Sequence, residues 1–151
     1  MRIPSAGATG RREGTCMGRR RWRDGVGVLA VVGADGEGVR VPLEVASSYR
    51  ARTKGLLGRD SVDGVMLLTP ASGVHTFRMR MAIDVAYLDR RLNVIAVRTM
   101  RPGRMGLPRL RARHVLEAEA GAMGEWGLRV GARVEVVEGS AESAGGAGRQ
   151  D

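Results

Sequence analysis

Five ionisable side chains stand in or beside apolar runs, where any chemistry should be sought first. His75 interrupts Val74-His-Thr-Phe-Arg-Met79, Asp84 interrupts Ile83-Asp-Val-Ala-Tyr-Leu88, and Glu117 interrupts His114-Val-Leu-Glu-Ala118. Arg80 and Arg59 are the cations expected beside them. A carboxylate carried into an apolar strand must gain a cation or a hydrogen-bond donor, or give up its charge. Arg80 lies nearest to Asp84 in the chain. One reading is therefore a structural Arg80–Asp84 ion pair, and the other a pocket in which the Arg80 guanidinium fork holds an acidic ligand.

At strand periodicity His75, Phe77 and Met79 share one face and Thr76, Arg78 and Arg80 the other. A histidine among apolar neighbours reads as a hydrogen-bonded core residue. Its functional alternative is a general base oriented by Asp84 or Glu117, which makes His75 and Asp84 the catalytic residues of a small hydrolase or isomerase. Other chemistries find little to work with. The single cysteine, Cys16, lies in a basic N-terminal arm, and no nucleophile-elbow pattern occurs. His75 and His114 with Asp84 or Glu117 lack any recognised metal-ligand spacing, and the glycines form no phosphate-cradling fingerprint, so neither metal nor cofactor is expected.

The charge of +9 is carried almost wholly by arginine, Lys54 being the only lysine. From Arg98 to Arg113 there are six arginines and no acidic residue, interleaved with Pro102, Gly103, Gly106 and Pro108. This segment reads as a solvated loop. Phosphate neutralisation needs only clustered positive charge, which keeps electrostatic nucleic-acid binding as an alternative. The whole aromatic set is two tryptophans, two tyrosines and one phenylalanine. Stacking platforms are therefore scarce, and nucleic acid is not the expected partner.

The elements that must position these residues are short. Val26–Val32 and Val39–Val45 flank the turn residues Gly33-Ala-Asp-Gly36 and read as a hairpin. Pro42 places the second strand at an edge or a bulge. Ser47 or Ser48 caps a helix running to Leu57, with Tyr49, Thr53, Leu56 and Leu57 on its apolar face and Arg50, Arg52 and Lys54 in water. Strands are expected at 64–68, 74–79, 83–88, 92–97, 114–118 and 133–137, with a helical turn at 120–126. The β-branched density of 92–97 marks it as buried on both faces. Seven or eight short strands, two brief helices and no βαβ rhythm make the chain mainly β, a single-domain sandwich or partly closed barrel.

Residues 1–23 carry seven arginines against one acidic residue, Glu13, and 1–25 read as a disordered basic arm, 26–138 as the domain, and 139–151 as a flexible tail. Arg19-Arg-Arg21 before the apolar Val26–Val32 resembles a secretory signal, but Asp24 and Gly25 interrupt it, so a cytoplasmic location is expected. No stretch is long enough to span a bilayer.

Several segments together resemble the bacterial and archaeal family called domain of unknown function 192. The main ones are His75-Thr-Phe-Arg-Met-Arg80 with Ile83–Asp89, supported by Arg52–Arg59, Val115–Gly121 and Trp126–Gly131. Arg78 and Ala132 depart from that pattern. The resemblance implies a β-rich fold and a polar cluster of His75, Arg80, Asp84 and Glu117, without implying an activity. The expected role is a binding module for an acidic small molecule or a protein segment, through His75, Arg80, Asp84, Glu117 and Arg59.

Overall fold

The computed structural model describes residues 20–33 and 38–139. Seven strands form one sheet: β1 (Gly25–Val32), β2 (Arg40–Ala46), β3 (Val65–Leu68), β4 (Ile83–Leu88), β5 (Val94–Met100), β6 (His114–Glu119) and β7 (Arg133–Glu138). Two short helices, α1 (Tyr49–Lys54) and α2 (Ala122–Glu125), complete the described elements. The strand order is β5-β4-β6-β3-β2-β1-β7, and the sheet curls into a half-barrel. The mainly β, partly closed barrel expected from the sequence is therefore the observed class.

The sheet curls far enough for its two ends to meet. Asn93, just before β5, bridges Arg133 at the start of β7. Around it Val94 N–H donates to the Ala132 carbonyl at 2.8 Å and Val134 N–H to the Leu92 carbonyl at 3.0 Å. Asp89 shapes this corner by accepting from the Arg91 and Asn93 amides at 2.8 and 2.9 Å.

Packing follows from which strands are covered twice. Leu29, Val31, Val41, Leu43, Val45, Val65, Leu67, Leu88, Leu116, Val134 and Val136 fill the inside of the curl. A second apolar cluster lies on the outer face of β3, β4 and β6, where Met66, Ile83, Val85, Tyr87 and Val115 meet Leu56, Met79 and Ala112 from the connections. Each fully buried aliphatic side chain contributes roughly 1.5–3 kcal/mol. With both faces covered, β3 and β4 are buried throughout and read as near-continuous apolar runs, whereas β1 and β7 alternate.

Five local expectations change. The doubly buried strands are β3, β4 and β6, while β5 is at an edge with Arg98 and Thr99 exposed. β2 lies inside the sheet and pairs in parallel with β3 across α1, a crossover unit that the absence of βαβ rhythm did not suggest. Pro42 is tolerated there because the β3 ladder begins one residue later, at Leu43 opposite Val65. Residues 74–79 form no strand. A single bridging pair joins His75 to Met105, and a turn follows in which Arg78 adopts a φ of 61°. Finally, α1 stops at Lys54 and leaves Tyr49 and Thr53 exposed, so Leu56 is buried by the turn after the helix.

Ser48 caps α1 as expected, its hydroxyl accepting from the Ala51 amide at 3.1 Å. Asp24 reinforces that start by accepting from the Ser47 and Ser48 amides at 2.6 and 2.8 Å. Hydrogen bonds from the Ser48 side chain and the two amides hold the Asp24 carboxyl down at about 2. Trp22 packs edge-on against His114 at 5.4 Å, beneath the Arg20 guanidinium at 4.3 Å. Residues 20–24, assigned by composition to a disordered arm, are thus fastened to the body. Residues 1–19 of that arm, residues 34–37, where most of the expected hairpin turn falls, and residues 140–151 of the expected tail lie outside the described residues. Among the described residues no helix is long and apolar enough to cross a membrane.

Candidate functional site

The parity of the strand register decides which of the five ionisable residues can meet. In the β4–β6 ladder Asp84 stands opposite Ala118 and Val85 opposite Glu117. Directly opposed residues share a face, so Asp84 and Glu117 point to opposite sides of the sheet.

Asp84 is 3% exposed. Its carboxylate accepts from the Thr99 hydroxyl at 2.7 Å, the Gly121 amide at 2.9 Å and the Met123 amide at 3.2 Å. These donors replace water and fix the first turn of α2. Arg80 forms its pair with Asp60, at 3.3 Å on the exposed surface, and not with Asp84. Arg59 makes a two-pronged pair with Glu44, at 2.9 and 3.0 Å. Asp84, Arg80 and Arg59 are each committed to separate partners.

Glu117 has none. It is 4% exposed, flanked in register by Val85 on β4 and Met66 on β3, and no hydrogen bond or ion pair to its carboxyl occurs among the described residues. Burial alone pushes its pKa up to about 7. The carboxyl reaches a cavity of about 90 Å³, whose walls are the α1 C-terminal turn, Gly73 to His75 and Met79. At roughly 30 Å³ per molecule, that is room for about three waters.

Gly55 borders this space. Its φ of 45° lies in the left-handed region, and a Cβ there would stand 3.6 Å from Glu117 Oε2. Arg52, Lys54 and His75 border the cavity. Arg52 is partly committed, its guanidinium donating to the Pro70 carbonyl at 2.7 Å, while Lys54 forms no ion pair among the described residues. The His75 ring is exposed and stacks on Phe77 at 5.2 Å, in contrast to the core position expected of it.

The structure thus brings His75 and Glu117 to one cavity and sends the other three elsewhere. Lys54 and Gly55 belong to it as well. Gly55 falls inside the helix expected to run to Leu57 and Lys54 on its solvated face, so the sequence carries no signal for either. His114, weighed as a metal ligand, is buried with its Nδ1 2.6 Å from the Thr69 hydroxyl, and burial lowers its pKa. Among the described residues no group of three or more His, Cys, Asp and Glu side chains is placed to hold a metal ion.

The chain resembles proteins of archaea and bacteria. It is 30% identical over 100 residues to a UPF0127 protein of Pyrococcus abyssi, covering 63% of this chain and 86% of the relative. A UPF0127 protein of Pyrococcus horikoshii is 30% identical over 84 residues, covering 52% of this chain and 73% of the relative. The crystal structure of a protein of unknown function from Novosphingobium aromaticivorans superposes with a TM-score of 0.62 at 20% identity, over 73% of this chain and 84% of that one. The family model DUF192, described as Uncharacterized ACR, matches residues 30–136, and the chain belongs to that family.

Proposed function

We propose that the protein is a binding module whose site is the cavity floored by Glu117. A small polar ligand, or the end of a protein segment, places a hydrogen-bond donor on the Glu117 carboxyl and an acidic group toward Lys54 and His75. The observation that carries this reading is a buried carboxyl, open to a cavity, without a partner among the described residues. The cavity gives a ligand's donor access to the carboxyl, and a hydrogen bond to such a charged acceptor contributes about 1.5–3 kcal/mol. The bordering cations select for negative charge on the ligand's outer end. A small amphoteric molecule such as an amino acid has both features, and so does a peptide terminus.

The test is a thermal-shift screen of amino acids, small acids and short peptides, followed by titration calorimetry. A ligand that stabilises the protein is expected to lose about tenfold or more in affinity on Glu117→Gln and less on Lys54→Ala. A ligand whose affinity is the same for the wild type and both variants refutes this site.

A further inference from the structure

A second concavity lies beyond the His75–Met105 bridge. Its framework is held by Thr76, which is fully buried. The Thr76 hydroxyl donates to the Arg101 carbonyl at 2.6 Å and accepts from the Arg104 amide at 2.8 Å. Thr76 N–H donates to the Arg104 carbonyl, and the Gly103 amide donates to the Thr76 carbonyl, both at 2.8 Å. The turn carrying Arg101 and Arg104 is therefore fixed at its backbone, unlike the solvated loop that composition suggests.

Across from that turn, Arg98 comes from the β5 edge, and the Arg109 guanidinium lies over the Tyr87 ring at 5.0 Å. These residues line an open groove of about 610 Å³, within the size range of small-ligand sites. Gly106 is required in its wall, since a Cβ would come within 2.7 Å of the Tyr87 hydroxyl. No carboxylate lines the groove, and among the described residues none of its four arginines forms an ion pair. The Arg109 Nε is buried without a hydrogen-bond partner. Met105 and Leu107, 68% and 81% exposed, give the same groove an apolar wall.

Four guanidinium groups with no carboxylate among them make the groove electropositive, and guanidinium forks match phosphoryl oxygens in geometry. A polynucleotide is the poorer fit. Tyr87 is the one aromatic residue lining the groove, and its ring is buried under Arg109, so no aromatic face there is free to receive a base. We propose that this groove is a distinct binding site for a small ligand with a pyrophosphate-type head. Its oxygens are held by Arg98, Arg101 and Arg104, and its apolar body lies on Met105 and Leu107.

Titration calorimetry on the full chain tests this, with inorganic pyrophosphate as the head alone and geranyl diphosphate as the head with an apolar body. Both are expected to bind, geranyl diphosphate more tightly. Arg101→Ala/Arg104→Ala weakens both about a hundredfold, on the scale of one or two charge-assisted hydrogen bonds. Arg90→Ala/Arg91→Ala makes the same charge change outside the groove and leaves both affinities unaltered. Leu107→Ala, at an exposed site, removes about tenfold from geranyl diphosphate and nothing from pyrophosphate. Four results overturn the proposal: absence of binding by either diphosphate, equal weakening by the two arginine pairs, tighter binding of a single-stranded oligonucleotide than of either diphosphate, or binding to phosphatidic acid vesicles alone.

Discussion

Replacing Glu117 by glutamine tests whether its carboxyl is held out of water, because the two side chains have nearly the same shape and differ in whether they ionise. In the unfolded chain the carboxyl titrates near its ordinary 4.5, and in the fold near 7, with burial as the cause. Well below the lower value both states are protonated and Glu117 contributes no pH dependence. Between the two values the unfolded chain ionises while the folded one keeps its proton, so stability falls as pH rises. Above the upper value the loss is complete, and the separation of the two corresponds to about 3 kcal/mol. Urea unfolding of wild type and Glu117→Gln should therefore give similar stabilities near about pH 4 and a variant more stable by about 3 kcal/mol near about pH 8. Taking the difference between the two proteins cancels the contributions of His114 and the remaining acids. A ligand that presents a cation to the cavity should shrink the gap by stabilising the ionised wild type. Stability curves that run parallel from acid to alkaline pH would refute the claim that Glu117 is buried without a partner.

Three other substitutions probe the framework. Gly55→Ala forces a side chain into a left-handed conformation and against Glu117 Oε2, and should lower stability by about 1 kcal/mol or more in urea melts. Asp84→Ala removes the acceptor of two backbone amides and the Thr99 hydroxyl, so a loss of about 3 kcal/mol is expected, with faster amide exchange at Gly121 and Met123. Thr76→Val keeps the shape but deletes the hydroxyl that joins Arg101 to Arg104. It should cost about 1–3 kcal/mol and speed exchange at the Arg104 amide.

The parts of the fold legible in the sequence are those whose burial leaves a local pattern. Ile83–Leu88 is apolar except for Asp84 and 115–118 except for Glu117, because both faces of β4 and β6 are covered, and Arg133–Glu138 alternates because β7 has one covered face. What pairs with what is not local. The parallel β2–β3 ladder joins segments separated by α1, and no residue type announces it. The stretch 74–79 alternates like a strand, yet its backbone bonds outside itself go to Gly103, Arg104 and Gly106. The same reasoning explains the site. Asp84 and Glu117 look equivalent as acids inside apolar runs, and the register sets one beneath three donors and the other beside a cavity. Arg80 was assigned to Asp84 by nearness along the chain, but in space its neighbour is Asp60.

The meeting of β5 and β7 at Asn93 and Arg133 also bears on how copies of the molecule behave toward each other. A sheet with two free borders invites a stranger's strand to extend it. Here the start of each border is occupied by the other, and further along β5 the exposed positions are Arg98 and Thr99, before the arginine turn begins. Positive charge at an unpaired rim discourages self-templating by like molecules. The seam therefore acts as a guard against chain-to-chain stacking, and opening it, for example by Val94→Pro, which deletes the amide bond to the Ala132 carbonyl, should raise light scattering from aggregates.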